Sequence, residues 1–382
     1  MATDDSLFPI FVREGRSRKK FKTGYITQRG QVIVPPVLEY GYPFREGLGS
    51  FREGELWGAI DQHGKVVIPP CSAQPLIFTE KLAAFSSGNK RGVMNTAGQV
   101  LVPARYRSIS YYSGGLACFE LDESYGYIDN FGIEVIPPSF EDARAFSEGL
   151  AAVKIGGKWG YISSDGSTVI PNQFICERGT AGPFRDGMAR VARRGLWGHI
   201  NRAGGFLYTP RFDMAYEFCE GRALVTIGKK QGYIDPSGEI VVPLKYRHAD
   251  NFSEGLASVN TGTTERHESI AAACDIGFIN PEGEFVITPR FFATGRFRNG
   301  LCLVETEKEI EYVDRCGNLI WSSGWVEIGS FDPLHLYPPE SQRGGNIAIA
   351  VIRFQMPDRR TVNFSGENTT VVPRLTLLSG KP

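Results

Sequence analysis

The chain has 382 residues, 42% of them hydrophobic, and its 42 lysines and arginines balance 42 aspartates and glutamates. This neutral charge argues against general nucleic-acid binding or anionic-membrane binding, because proteins of those classes usually carry a basic excess. No run approaches the roughly 18 apolar residues of a membrane span, and the acidic start MATDDSLFPIF has no long apolar core. We therefore expect a cytoplasmic protein without a signal peptide.

Glycine and proline are abundant, at 45 and 23 residues. Their combined share exceeds the usual share of about 12%. Turn residues at this density leave little room for helices and favour many short strands joined by tight turns.

The seven cysteines are scattered and form no C-x-x-C pair. They are Cys71, Cys118, Cys176, Cys219, Cys274, Cys302 and Cys316. An odd number of cysteines without a signal peptide indicates reduced thiols. We expect them to pack as small buried hydrophobic residues.

One glycine recurs along the chain with a period of about 34 residues. The anchor positions are Gly24, Gly58, Gly92, Gly126, Gly160, Gly198, Gly232 and Gly277, with Glu311 in the ninth place. The steps are 34 residues, except for 38 before Gly198 and 45 before Gly277. The sequence therefore predicts about nine tandem copies of one unit.

Each copy reads as four short strands. In the copy around Gly160, a Phe-Ser-Glu-Gly turn at 146–149 precedes an alternating run, the Trp-Gly-Tyr-Ile strand, a turn at 163–166 and a strand that ends at Pro171. The D-x-x-G form of the second turn predicts a type I turn closed by a left-handed glycine. Residues 140–146 between the proline and the next turn also look like a strand. We predict four strands of five to seven residues in each unit.

Four antiparallel strands per unit are typical of a β-propeller blade. Nine blades exceed the usual four to eight. An open β-superhelix is therefore the alternative to a propeller-like ring.

The recurring segments resemble those of WG-repeat (KWG-type) proteins. The resemblance rests on the W-G/Y-I-D core, the F-x-E-G-L-A lead and the V-I-P-P tail, and it covers about residues 7–321. It implies a β-rich interaction module, mostly bacterial, and it supplies no catalytic residues. This chain departs from the pattern at Arg91, Gln231 and Ile276, which replace the tryptophan, and at Glu311, which replaces the glycine.

The period ends after Trp321. We assign residues 1–321 to the repeat array and residues 322–382 to a small C-terminal β element. This element either caps the exposed last edge of the array or forms an accessory recognition module.

Trp57, Trp159 and Trp197 occupy the same place in their units. Exposed aromatic side chains in this place would suit a glycan. Because the place recurs, however, we expect the three indole rings to pack between units.

The irregular segments of the array indicate its binding face. Four strands per unit place the F-x-E-G and D-x-x-G turns at one end of the sheet, and the link before the W-G strand and the link after the proline at the other. The irregular segments at or near this second end are residues 13–20, 121–124, 175–183 and 261–275. Insertions at one face of a repeat array often bind partners.

Eight residues of two of these segments are the candidate binding residues. They are Arg16, Arg18, Lys19 and Lys20 in the first segment, and Glu265, Arg266, His267 and Glu268 in the last. The basic cluster, with Lys22, would suit a phosphate-rich partner or would be a solvated loop. His267 with its acidic neighbours lacks a recognisable metal-ligand spacing, so we predict no metal site.

These features favour a non-catalytic scaffold for protein–protein interaction, without a cofactor and with a protein partner. The alternatives are an inhibitor or immunity-type protein that blocks a toxic enzyme, and a carbohydrate-binding or carbohydrate-active β-propeller. The acidic candidates for such an enzyme, Glu123, Glu265, Glu268 and Asp275, have no interpretable spacing.

Overall fold

The computed structural model describes residues 7–13, 21–177, 179–262, 275–307, 309–323, 326–327 and 351–352. Within these ranges the chain forms 34 β-strands, and the described residues contain no helix. The all-β prediction is confirmed.

The strands form successive units, which we number 1 to 9 in chain order. Units 1 to 3 contain β1 (Phe8–Arg13), β2 (Phe21–Ile26), β3 (Val32–Leu38); β4 (Tyr40–Gly41), β5 (Leu48–Glu53), β6 (Leu56–Asp61), β7 (Val66–Ser72); β8 (Leu82–Ser87), β9 (Lys90–Asn95), β10 (Val100–Tyr106). Units 4 to 6 contain β11 (Ser108–Ile109), β12 (Leu116–Leu121), β13 (Ser124–Asp129), β14 (Glu134–Phe140); β15 (Asp142–Ala143), β16 (Leu150–Ile155), β17 (Lys158–Ser163), β18 (Thr168–Phe174); β19 (Ala189–Arg193), β20 (Leu196–Ile200). Units 7 to 9 contain β21 (Met214–Cys219), β22 (Arg222–Ile227), β23 (Lys230–Ile234), β24 (Ile240–Tyr246); β25 (His248–Ala249), β26 (Ala257–Asn260), β27 (Ile276–Ile279), β28 (Phe285–Phe291); β29 (Ala293–Thr294), β30 (Leu301–Glu305), β31 (Ile310–Asp314), β32 (Leu319–Ser322).

The hydrophobic core consists of clusters that each join two consecutive units. Leu116 and Tyr127 of unit 4, for example, pack with Ala151 and Val153 of unit 5. A sheet that is apolar on both faces requires a neighbour on each side, so the units stack as adjacent sheets.

One cluster joins the last unit to the first. Phe8 and Ile10 of β1 pack with Leu303 and Tyr312 of unit 9 and with Trp321. This contact closes the ring, so the β-propeller prediction is confirmed and the open-superhelix alternative is wrong. Eight of the sheets are blades of three or four strands, and unit 6 contributes a two-stranded sheet between its neighbours.

The last strand of a regular unit, which we call the outer strand, pairs with the W-G strand beside the anchor glycine. A Cβ on Gly160 would lie 2.6 Å from the carbonyl oxygen of Ile170, closer than real Cβ atoms approach. The pairing of β17 with β18 shifts register between Trp159 and Tyr161. The glycine is therefore required because the bulged outer strand brings its backbone against this position.

The proline does not end the outer strand, contrary to the prediction. β14 continues through Pro137 and Pro138 to Phe140. The outer strand is an edge strand with a bulge at this point, and an edge strand tolerates residues without an N–H donor. The strand predicted over 140–146 shrinks to the two residues of β15 in unit 5, so the prediction of four strands of five to seven residues is wrong for this strand.

The D-x-x-G turns have the predicted geometry. In residues 61–64 the amide of Gly64 donates to the carbonyl of Asp61 at 2.9 Å, and Gly64 has a φ of 81°. The Asp61 carboxylate accepts from the backbone N–H of His63 and of Lys65, both at 2.9 Å, and thereby fixes the turn.

Unit 6 differs from the other units because of the segment 175–183. In the described residues between β18 and the turn at 185–187, which exclude residue 178, no strand is found, and the short first strand of most units is absent. Isolated bridges between Ile200 and Phe206 and between Trp197 and Phe212 stand in place of a regular outer strand. The insertion at 175–183 thus lies where the short first strand of unit 6 would form, and the missing outer strand corresponds to residues 206–212, where only these bridges are found.

The described part of the C-terminal segment contains β33 (Val326–Glu327) and β34 (Val351–Ile352), which pair in antiparallel order. The Cα atoms of β34 approach those of β1 to within 8 Å. The division at residue 321 and the choice between a cap and a recognition module stay predictions.

Candidate functional site

The ring has two ends that differ in whether their carboxylates form hydrogen bonds to the neighbouring unit or within their own unit. We call the end with the F-x-E-G turns the turn end. The hairpin end carries the loops between the second and third strands of each unit, such as residues 156–157 between β16 and β17. The antiparallel order of the strands puts the two kinds of loop at opposite ends of the inner part of each sheet.

At the turn end, each carboxylate reaches the next unit. The Glu46 carboxylate accepts from the backbone N–H of Glu80 at 2.8 Å and of Lys81 at 2.6 Å. The same contact recurs where Glu80 accepts from Gly114 and Gly115, Glu148 from Gly187, Asp186 from Gly221, Glu220 from Glu254 and Gly255, and Glu254 from Gly300. The acidic side chains of these turns are therefore already bonded to neighbouring units, and they hold those units together.

The conformation of these turns explains why the contact is possible. Glu46 and Gly47 have φ values of 51° and 80°, and Arg45 and Leu48 exchange backbone hydrogen bonds. This is a type I′ turn, in which the first position disfavours glutamate. The interunit hydrogen bonds to charged oxygens offset that strain.

An open depression of about 550 Å³ lies at the turn end between units 2 and 3. Its lining includes Glu46, Lys81 and Thr96. Since Glu46 is bonded to the neighbouring turn, the depression presents few of the convergent polar groups that small-molecule sites require.

The tryptophans of the repeat are buried, and the packing prediction is confirmed for two of the three. Trp57, Trp159 and Trp197 are 8%, 2% and 1% exposed. The guanidinium of Arg144 stacks over Trp159 at 5.2 Å and that of Arg190 over Trp197 at 4.9 Å. Packing between units is found for Trp159 and Trp197, which belong to clusters that join two units, whereas Trp57 contacts aromatic rings of its own unit. All three rings are buried and offer no face to a sugar.

A buried ion pair links units 6 and 7. Arg190 Nε lies 2.9 Å from Glu217 Oε1, and both side chains are largely buried. Burial acts to raise the pKa of Glu217, but the charge of Arg190 and its hydrogen bond hold that pKa below the usual value. The pair is therefore ionised and structural.

His199 occupies the place of the tyrosine in the W-G-Y segment. It is buried, its Nε2 lies 2.8 Å from the carbonyl oxygen of Tyr216, and its Nδ1 contacts the hydroxyl of Tyr208. In the equivalent place, Tyr233 donates to the carbonyl of Asp250. The imidazole therefore donates from Nε2 as the tyrosine hydroxyl does, and burial lowers its pKa to about 4.

Glu305, at the end of β30, is the second buried titratable group of note. It is 7% exposed, and burial raises its pKa to about 7. It lies at the hairpin end, where Glu311 also has a pKa raised by burial and by the nearby charge of Glu309.

All eight candidate binding residues lie outside the described residues. Arg16, Arg18, Lys19 and Lys20 fall in the hairpin between β1 and β2, and Glu265, Arg266, His267 and Glu268 fall in the hairpin between β26 and β27. Both hairpins belong to the hairpin end. At the base of the second, the backbone of Thr261 donates to the carbonyl of Asp275 at 2.9 Å, which continues the strand pairing past β26 and β27.

Residues 121–124 are not irregular in length, contrary to the interpretation from sequence. Asp122 and Glu123 form a two-residue loop with φ values of 48° and 63°, as glycines do elsewhere. This loop differs from the other two-residue hairpin loops only in composition, because two acidic residues stand where those loops contain glycine. Arg107, which precedes β11, pairs with Glu120 beside this loop at 3.2 Å.

The prediction for the cysteines is correct only in part. Cys118 and Cys302 are buried free thiols, whereas Cys71 and Cys316 are free and exposed. Both exposed cysteines lie in positions where the repeat faces solvent, at the end of an outer strand and in a D-x-x-G turn. Cys274 lies outside the described residues.

Among the residues that the structure describes, no group of three or more His, Cys, Asp or Glu side chains is placed to hold a metal ion. No helix in this part of the chain is long and apolar enough to span a membrane.

Several hairpins are closed by a carboxylate that sequence analysis missed. In unit 5 the backbone N–H groups of Gly156 and Gly157 donate to the Glu141 carboxylate at 2.6 and 3.0 Å. Gly54 donates in the same way to Glu39, and Gly228 to Asp213. The sequence signal is an acidic residue that directly follows the outer strand or takes its place in the repeat, as at positions 39, 141 and 213.

Solved structures to which this chain is similar are distant in sequence. A crystal structure described as that of the eukaryotic initiation factor has a TM-score of 0.58 and 12% identity, covering 84% of this chain and 96% of that chain. The dihydro-heme d1 dehydrogenase NirN in complex with DHE has a TM-score of 0.44, with 12% identity over 84% and 74% of the two chains. The C-terminal WD40 domain of Sif2 has a TM-score of 0.40, with 8% identity over 70% and 92%. The first of these likenesses supports the propeller fold.

No curated protein matches this chain. A family model does, and its description is WG containing repeat. It matches eight segments: 24–57, 57–70, 92–124, 125–159, 159–197, 197–230, 232–262 and 276–308. The eight matches begin at or near the first eight anchor positions, and the ninth anchor position, Glu311, lies beyond the last of them. Since the matches cover more than half of the sequence, the chain belongs to the family of WG-repeat proteins.

Proposed function

We propose that this protein is a non-catalytic scaffold that binds a protein partner through the hairpin end of its ring. The observation that supports this most strongly is the position of its two long insertions. Both the segment at 14–20 and the segment at 263–274 interrupt the same link of the repeat, between the second and third strands. Two insertions at one end of a regular array are typical of a binding face.

The bonding of the two ends supports the same assignment. At the turn end the acidic side chains are bonded to neighbouring turns, as Glu46 and Glu220 are. A partner at that end would compete with contacts that hold the blades together. The hairpin end carries exposed charges on loops whose length varies, and these can change without disturbing the ring.

The carbohydrate alternative gains no support from the repeat tryptophans. Glycan sites depend on exposed aromatic faces, whereas Trp159 and Trp197 are almost fully buried. The family membership and the propeller fold are compatible with an interaction module.

The test is partner capture from native lysate of the source cells, followed by mass spectrometry. The intact chain is compared with two variants, in which residues 263–274 or residues 14–20 are replaced by a short Gly-Ser link. A matched control changes the turn end, with Lys65→Ala at the exposed residue that follows the turn at 61–64.

We expect at least one loop replacement to lower recovery of a specific partner about tenfold or more, while the Lys65→Ala variant recovers it fully. Circular dichroism confirms that each variant keeps its β structure. Full recovery with both loop variants and loss with Lys65→Ala would contradict the proposal.

A further inference from the structure

The hairpin turns of this protein bind carboxylates. The loop between β16 and β17 is a two-residue turn in which Gly156 and Gly157 have φ values of 57° and 74°. Both of its outward N–H groups donate to the two oxygens of Glu141, at 2.6 and 3.0 Å. Successive N–H groups in such a turn form a small concavity that holds an anion.

A related contact forms in two other units, where one N–H group of the turn donates to a carboxylate. Gly54 donates to Glu39 at 2.9 Å in unit 2, and Gly228 donates to Asp213 at 2.6 Å in unit 7. In each case the carboxylate belongs to the residue that directly follows the preceding outer strand or takes its place in the repeat. The chain thus supplies one internal example in which two N–H groups of the turn hold a carboxylate, in unit 5, and two examples with a single donor.

Unit 6 has the turn but lacks the internal carboxylate. Arg194 and Gly195 have φ values of 53° and 78°, close to those of Gly156 and Gly157. The position after the preceding outer strand is Ile175, which is 51% exposed. Within the described ranges no side-chain carboxylate accepts a hydrogen bond from the N–H of Arg194 or Gly195.

The charge around this turn favours an anion more than the charge around the turns of units 3 and 4, which also lack an internal carboxylate. Arg193 and Arg194 are both exposed in the turn, and the Arg193 guanidinium lies 5.9 Å from the Phe206 ring. The flanking hairpins of units 5 and 7 add Lys158 and Lys229, also exposed. A carboxylate here would gain two backbone hydrogen bonds and a cationic surrounding.

The turns of units 3 and 4 are weaker candidates for an anion site. In unit 4 the turn residues Asp122 and Glu123 are themselves acidic and would repel an anion. In unit 3 the turn at Gly88 is followed by Lys90, and Ala73 stands in the carboxylate position. Unit 6 alone among these three combines the open turn with two arginines in the turn and an exposed apolar side chain at the carboxylate position.

We propose that the β19–β20 hairpin is a carboxylate-binding site for an acidic segment of the protein partner. The partner's Asp or Glu side chain would take the place that Glu141 takes in unit 5, and Ile175 would contact an apolar side chain beside it. This inference rests on the proposed function, because it names the chemistry that a partner presents to the hairpin end. A carboxylate is favoured over a phosphate because its two oxygens match the two N–H groups of the turn, as those of Glu141 do in unit 5.

The probe is an acetylated and amidated peptide with two glutamates and one leucine, added to the full ¹⁵N-labelled chain. We expect saturable shifts of the Arg194 and Gly195 amide resonances. The Gly156 and Gly157 resonances serve as an internal control and should not move, because Glu141 already occupies them. A matched peptide with glutamine in place of glutamate should shift neither pair.

Two variants test the geometry. Ile175→Glu restores the carboxylate of the repeat and should abolish peptide binding by occupying the turn. Arg194→Gly keeps the turn, because glycine adopts positive φ readily, but removes one charge and should weaken binding about fivefold to tenfold. The conformation of both variants is checked by the unchanged resonances of the other units.

The proposal is overturned if the glutamate peptide leaves Arg194 and Gly195 unmoved, or if both variants bind it as the parent chain does. It is also overturned if inorganic phosphate shifts these amides at lower concentration than the peptide. Peptide binding without any partner captured from lysate would refute the proposed function and leave this site standing. Partner capture that Ile175→Glu does not reduce, with no peptide shift, would refute the site and leave the function standing.

Discussion

The hydroxyl of Tyr312 donates a hydrogen bond to the carbonyl of Pro9 at 3.0 Å, across 303 residues of sequence. Tyr312 belongs to the last unit and Pro9 to the first strand. Elsewhere the tyrosine of a W-G-Y segment bonds to the next unit along the chain, as Tyr127 does to Arg144 at 2.8 Å. The first unit is therefore the neighbour of the last, and one recurring contact both links the blades and closes the ring.

Tyr312→Phe should weaken the closure of the ring. Loss of this hydrogen bond leaves the Pro9 carbonyl without its partner and should lower the free energy of unfolding by about 1 kcal/mol. Hydrogen exchange should become faster in β1. Tyr127→Phe is the matched control, because it removes the same contact within the ring and should leave exchange in β1 unchanged. Equal exchange in β1 for Tyr312→Phe and the parent chain would argue against closure through this contact.

Gly160→Ala should be strongly destabilising. The added Cβ would lie 2.6 Å from the Ile170 carbonyl oxygen, so the outer strand must move. We expect a loss of about 2–3 kcal/mol in the free energy of unfolding, measured by denaturant titration. The control is Gly205→Ala, where the nearest atom lies 3.6 Å from the added Cβ. A loss for Gly160→Ala no larger than for the control would refute the account of the anchor glycine.

Two substitutions at Glu220 separate the two features of the turn end. Glu220 has a φ of 55° and its carboxylate accepts from Glu254 and Gly255. Glu220→Ala loses the hydrogen bonds and keeps the strained φ, whereas Glu220→Gly loses the hydrogen bonds and relieves the strain. Thermal unfolding should show the alanine variant to be less stable than the glycine variant by about 1 kcal/mol. The opposite order would show that the turn conformation is not strained.

His199 should make stability depend on pH. Burial lowers its pKa in the folded protein to about 4, from an ordinary value of about 6.5 in the unfolded chain. The unfolded chain therefore takes up the proton first. This contribution to stability is present above about pH 6.5 and is lost as the pH falls from 6.5 towards 4, by about 2–3 kcal/mol.

The control for that prediction is His199→Phe, which cannot titrate. Its stability, measured by denaturant titration, should be lower near pH 7 because the Tyr216 carbonyl loses its donor. Between pH 6.5 and 4 it should fall less steeply than that of the parent chain. Identical slopes would mean that His199 is not the group that titrates.

The sequence predicts the parts of the fold that depend on neighbouring residues. The W-G strand around Gly160 and the turn at 61–64 follow from local rules about close backbone approach and positive φ, and both are found. Ring closure depends on contacts such as that between Tyr312 and Pro9, which no local pattern encodes. Unit 6 lacks the short first strand where residues 175–183 lie, and the step of 38 residues reveals the insertion but not this change in structure.

The candidate site is predicted less completely. The two long insertions mark the hairpin end, yet the role of Glu141 is hidden in the sequence, because its partners at Gly156 and Gly157 lie 15 and 16 residues away. Once that contact is known, the 34-residue spacing from Glu141 to Ile175 identifies Ile175 as the equivalent position, where the carboxylate is missing. The repeated positions therefore become interpretable only through the hydrogen bonds that the fold creates.

The most direct test of the account is hydrogen exchange of the intact chain with and without its captured partner. We predict protection at the hairpin end, in the loops at 14–20, 193–196 and 263–274, and unchanged exchange in the turns that contain Glu46 and Glu220. Protection confined to those turns, with the hairpin loops unchanged, would contradict the assignment of the binding face.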